Sequence, residues 1–215
     1  MSSPDLIRWS GLAAILAGVL FVTSDLLDLT FEPATGPVGF GTGTFGETNP
    51  GALLVLQSAL TLLAGVLLLF GLIGLYTYRL EKLGIMGLFG FVVAFSGSVM
   101  AVGGFWSNVF VAPSLAEALA REPSGLMDAA SPRALSAGFT LSYGLVAAGW
   151  FVFGLAALRA RAYPVPAVSL LIVGAALTWL PFPLTGVTFG VAVSWLGYAL
   201  YVTGSPTPGT SLEDS

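Results

Sequence analysis

Neither cysteine nor histidine occurs anywhere in this chain. Disulfides, thiol nucleophiles, imidazole acid–base catalysis and His-ligated zinc or haem are therefore excluded. Charge is almost as scarce. Charged residues are 8% of the sequence, where a soluble domain carries about 25%, so a water-facing surface cannot be built from them. A net charge of −4 offers no concentrated basic patch for a nucleic-acid backbone, and no nucleic-acid partner is expected. No lysine lies in the middle of an apolar run, which removes a retinal Schiff base, and no HExxH or GxSxG occurs.

Hydrophobic residues fill the space left, at 56%. They form runs of about 20 residues, the length that crosses a bilayer core as helix. Continuous stretches such as LTLLAGVLLLFGLIGL do not alternate as barrel strands would. The expected fold is all-α: a polytopic membrane protein with six transmembrane helices in a single domain over residues 1–203. The spans are placed at about 6–29, 50–78, 83–112, 132–158, 164–180 and 184–202, followed by a disordered polar tail over 204–215. The fifth span is short and bracketed by Pro164, Pro166, Pro181 and Pro183, which suit helix ends.

Arg8, Arg79, Lys82, Arg159 and Arg161 fall on one side of this arrangement, and only Arg121 and Arg133 on the other. Short loops rich in Lys and Arg stay cytoplasmic, so both termini are expected in the cytoplasm. Trp9, Tyr76, Tyr78 and Tyr201 sit near inner ends, Trp106 and Trp179 near outer ends, and Trp150 and Trp195 deeper, as packing residues. A rival reading makes the first run a signal peptide cleaved after Ser24, with Arg8 as its n-region; Asp5 cancels that charge.

Between the spans, the loop 33–49 is rich in Gly, Thr and Pro. PSLAEALARE reads as a separate interfacial helix, with Ser114 as N-cap, Glu117 closing a capping box and Glu117–Arg121 paired. NPGAL (49–53) matches SPRAL (131–135), and FGLIGLYTYR (70–79) matches FGLAALRAR (153–161). Two interpretations stay open. One is a parallel repeat of helices 2–3 as 4–5, as found in transporters; the other is two generic hairpins obeying the same capping rules. The stretch SYGLVAAGWFVFGLAALRARAYPVPAVSLLIVGA (142–175) resembles segments of small multi-pass bacterial membrane proteins in a family without assigned function. The resemblance implies a bacterial cell membrane and carries no activity.

Few residues remain for chemistry. GTGTFG (41–46) has the spacing of a dinucleotide fingerprint but lacks the strand and helix it needs. SDLLDLTFE is a better candidate: Asp25, Asp28 and Glu32 share one helix face near the outer boundary. Clustered carboxylates would hold a proton or recruit a hard cation; alternatively they only mark where the span leaves the lipid. Gln57 and Asn108, with Ser107 and Tyr143, lie in the outer half and would complete a polar vestibule. Ser96, Ser98, Thr140, Ser142, Thr178 and Ser194 suit interhelical hydrogen bonding. No cofactor is implied, and the choice of metal stays open.

Small residues four apart, Ala14/Gly18, Gly97/Ala101, Gly144/Ala148 and Gly186/Gly190, permit close helix approach within the bundle or to a second copy or membrane partner. Three functions follow in order of fit. The first is a non-enzymatic scaffold or accessory bundle. The second is a small transporter or channel using the outer carboxylates. The third is a membrane enzyme, for which no second carboxylate pair is present.

Overall fold

The computed structural model describes residues 3–28, 52–121, 132–178 and 185–203. Among them the chain is all-α: α1 (Ser3–Asp28), α2 (Ala52–Tyr78), α3 (Leu80–Arg121), α4 (Pro132–Arg159), α5 (Val165–Leu177) and α6 (Thr185–Thr203). Five are long and apolar enough to cross a membrane; α5 has 13 residues and reaches only about 20 Å. Helices satisfy every internal backbone group within one segment, which is why apolar runs in lipid take this form. The chain is a polytopic membrane protein.

Consecutive helices pack antiparallel, and α6 returns to α1, so contacts run in a closed cycle; α2 and α6 also touch. The beginning of α1 and the end of α6 therefore share one end of the bundle, where Gly11 meets Gly197 and Tyr201. The turns at Arg79 and at Ala160–Pro164 lie at this basic end, and Asp25 lies at the opposite, acidic end. α1 is built into the core: Ala14, Ala17 and Phe21 are buried.

Two seams dominate the packing. Lipid gives helices no hydrophobic reason to associate, so close backbone approach must supply van der Waals contact. On α1, Gly11 and Gly18 stand two turns apart, opposite Gly197 and Gly190 on α6. A Cβ on Gly18 would lie 2.1 Å from the Gly190 carbonyl oxygen, and one on Gly197 2.7 Å from that of Gly11. The α3–α4 seam repeats the device: a Cβ on Gly149 would meet the Ala94 nitrogen at 2.1 Å, and one on Gly97 the Val146 nitrogen at 2.4 Å. Of the four small-residue pairs read from the sequence, three are thus interior. Gly144 is half-buried and Ala148 faces outward.

Trp150 is fully buried, edge-on to Phe153 and Phe189, with its indole N–H 3.5 Å from Ser98 Oγ. Trp195 differs from its expected packing role. It is exposed on the outer face of α6, because the face turned inward is occupied by Val193, Leu196 and Leu200. Trp9 and Trp106 are also exposed, as residues facing lipid or its interface would be.

The region 113–121 also differs from expectation. Helix α3 continues to Arg121 without a separate helix. Ser114 does not cap: its hydroxyl donates back to the Phe110 carbonyl at 3.3 Å, the bond of a serine inside a helix. The side chains of Glu117 and Arg121 lie outside the described residues. At its other end α3 breaks at Gly84 (φ 59°, ψ −162°), a backbone region essentially restricted to glycine. The hairpins α2–α3 and α4–α5 run in the same directions, but their second helices have 42 and 13 residues.

The end of α4 closes in a Schellman motif. Ala162 N–H donates to Ala157 O and Arg161 N–H to Leu158 O, with Ala162 and Ala157 both buried. The left-handed position, usually glycine, is held by Arg161 at φ 47°, a conformation that costs a side-chain-bearing residue about 1–2 kcal/mol. Just beyond it, Tyr163 donates its hydroxyl to the Leu75 carbonyl on α2, tying the two basic turns together. Burial raises the Tyr163 pKa above the usual tyrosine range, opposed by the nearby Arg79 charge and reinforced by Tyr78.

Candidate functional site

Asp25 lies one turn short of the end of α1, where its carboxylate reaches the start of α6. Its Oδ2 accepts the Val187 N–H at 3.0 Å. Val187 is the third residue of α6, one of the first-turn donors with no partner in its own helix. The negative charge also meets the positive end of that helix's dipole. Gly186 makes the approach possible, since a Cβ there would sit 2.5 Å from Asp25 Oδ1. The carboxylate that the sequence offers as a cation ligand thus serves as an N-cap supplied across the bundle.

Ser24 and Thr61 form a second link between helices, with the Gln57 backbone carbonyl behind it. Thr61 on α2 donates to the Gln57 carbonyl at 3.0 Å, and its oxygen is 2.6 Å from Ser24 Oγ. A hydroxyl carries one proton, so Ser24 is the donor of that shorter bond. Ser194 on α6 likewise donates to the Ile15 carbonyl at 3.2 Å. Ser142 and Thr178 bond back to Phe139 and Ala175 within their own helices.

The expected vestibule is only partly assembled. Asn108 is half-buried on α3, and α1 and α3 do not pack on each other, so Asn108 and Asp25 are not neighbours. Asp28 closes α1, but its side chain lies outside the described residues, as do Glu32 and the GTGTFG stretch. Among the described residues no group of three or more acids could hold a metal ion.

What the sequence reading missed lies between these helices. A central cavity is lined by all six, Phe21, Leu68, Phe105, Trp150, Ala175 and Phe189 among the lining residues. Its empty space is about 500 Å³ counted out to its open mouth. The void arises where small residues face inward at Gly65, Ala101, Ala147 and Ala175. Toward the basic end, Leu72, Leu75, Val168, Leu171 and Leu196 fill the same axis.

The wall is apolar apart from Ser98, Tyr143 and Thr178. Asp25 stands one turn beyond Phe21 and Asn108 one turn beyond Phe105, so both polar residues sit on the acidic-end side of the void. Alternating small and large residues on one helix face would have been the signal for it, but periodicity cannot say which inward faces fail to meet. No protein-family model, curated protein or solved structure matches this chain.

Proposed function

We propose that this protein is a non-enzymatic scaffold or accessory bundle of the bacterial cell membrane, with both termini in the cytoplasm. One observation carries the reading: the Asp25 carboxylate is spent on capping α6. The Ser24–Thr61 and Ser194–Ile15 bonds join helices in the same way. Their worth, about 0.5–2 kcal/mol each in a bilayer, is architectural. The basic turns at Arg79–Lys82 and Arg159–Arg161 support the cytoplasmic placement of the end they share. A membrane partner or second copy would find the exposed stripe of α3, including Ile85, Phe89, Val92 and Met100, or the Gly144/Ala148 face of α4.

A small transporter is the second reading, favoured by a cavity to which every helix contributes. One experiment separates the two. The protein is reconstituted in liposomes and proton and sodium flux are measured for wild type and for the Asp25→Asn/Asp28→Asn double variant. No flux above empty liposomes, together with a stoichiometric partner recovered by crosslinking in native membranes, is the expected result. Flux that the double variant abolishes without lowering its melting temperature overturns the scaffold reading. Reporter tags at both ends are expected to be inaccessible from outside the cell.

A further inference from the structure

We propose that the basic end of the bundle binds the phosphodiester headgroup of an anionic membrane lipid, between the α2–α3 turn and the α4–α5 turn. Four of the chain's seven cations are here: Arg79, Lys82, Arg159 and Arg161. The two turns are held side by side. Tyr163 of one bonds the Leu75 carbonyl just before the other. Gly90 on α3 packs against Phe153 on α4 in antiparallel register, which brings Leu83 level with Ala160. Leu83, Ala162 and Tyr163 are all in the core beneath.

Two features go beyond a loop that merely keeps its cations on one side of a membrane. The first is Arg161. The Schellman position it occupies is left-handed and favours glycine, so backbone geometry alone gives no reason for an arginine there. A guanidinium held at that point by a strained backbone indicates that its charge is needed at the spot. The second is Arg79. Its guanidinium lies over the Tyr78 ring, 4.3 Å from the centroid, and its buried Nε has no hydrogen-bond acceptor among the described residues. Stacking fixes the plane of the fork and leaves donors for a planar or tetrahedral oxyanion.

Lys82, Arg159 and Arg161 are exposed, and the exposed Glu81 is the one acid in the two turns. The α2–α3 turn joins two membrane-spanning helices and the α4–α5 turn ends a third, so both sit at the depth where lipid phosphates are concentrated. Basic pockets between spans are a recognised means of holding anionic headgroups. Free phosphate shares the same chemistry, and the experiment has to tell the two apart.

The full chain in neutral detergent is titrated with phosphatidylglycerol, and separately with phosphatidylcholine, and bound lipid is counted by native mass spectrometry. The expected result is several-fold tighter retention of phosphatidylglycerol. Arg161→Gly is the decisive variant, because glycine relieves the left-handed backbone: its melting temperature is expected to hold or rise while phosphatidylglycerol retention falls several-fold. Arg79→Gln is expected to lose retention as well. Equal retention of the two lipids, or a wild-type affinity in Arg161→Gly, overturns the proposal. Displacement of bound phosphatidylglycerol by excess inorganic phosphate overturns the assignment to lipid.

Discussion

Asp25 and Val187 are 162 positions apart in sequence and joined by one 3.0 Å hydrogen bond, carboxylate to backbone N–H. The bond fastens the far end of the first helix to the beginning of the last. Losing an N-cap costs about 0.5–2 kcal/mol. Asp25→Ala is therefore expected to lower the melting temperature in detergent, and Asp25→Asn, which keeps an acceptor, to lower it less. Gly186→Ala should match Asp25→Ala, since its methyl group would displace the carboxylate. Equal stability of Asp25→Ala and wild type would remove the capping role.

The glycine seam makes a paired prediction. Gly18→Ala puts a methyl group 2.1 Å from the Gly190 carbonyl oxygen and is expected to destabilise by the about 1–3 kcal/mol typical of overpacking. Gly103 is exposed in the interior of α3, with nothing within 4 Å of an added Cβ. There alanine should stabilise by about 0.5–1 kcal/mol through helix propensity. Thermal melts of the two single variants check both signs.

How much of this was legible beforehand divides along physical lines. Helix identity and approximate bounds follow from runs of apolar residues, because lipid leaves the backbone no other way to bond. Pro132 at the start of α4 and Pro164 at the start of α5 were equally readable. The pairing of α1 with α6 was not: Gly18 and Gly190 announce close approach but not to which helix. Asp25 was legible as a carboxylate at a boundary, whereas its partner is a backbone N–H, a donor every residue but proline carries. The same limit misled the reading of Ser114, whose spacing to Glu117 satisfies a capping box although the helix continues through both. Trp195 was placed by depth along its helix, which says nothing of the face it occupies.

Gly84 separates conformation from crowding. Open space surrounds it, yet its φ of 59° and ψ of −162° belong to a region costing other residues about 1–3 kcal/mol. Gly84→Ala is expected to lower stability despite meeting no neighbour, in contrast with Gly103→Ala. A melt showing Gly84→Ala as stable as wild type would mean that the break at the start of α3 is dispensable.

Tyr163 gives a pH dependence. Burial raises its pKa above the ordinary tyrosine value, which is about 10. The folded state therefore keeps its proton where the unfolded chain has lost it. The stabilisation is complete below about pH 10 and is lost as pH rises above it. Tyr163→Phe should lose about 0.5–1.5 kcal/mol at neutral pH, the worth of one hydrogen bond, and show a flatter alkaline limb. Denaturation midpoints followed from pH 7 to 11 in detergent would check this; parallel curves for the two proteins would contradict it.

The α1–α6 seam also bears on the order in which this molecule can be completed. Synthesis delivers α1 to the bilayer well before α6, its most extensively glycine-lined partner. Until α6 is made, the groove along Gly11 and Gly18 has only α2 beside it, and lipid must occupy the rest. A ribosome stalled before residue 185 would leave an insertion intermediate with that groove unfilled, open to chaperoning, to degradation or to a helix borrowed from another chain.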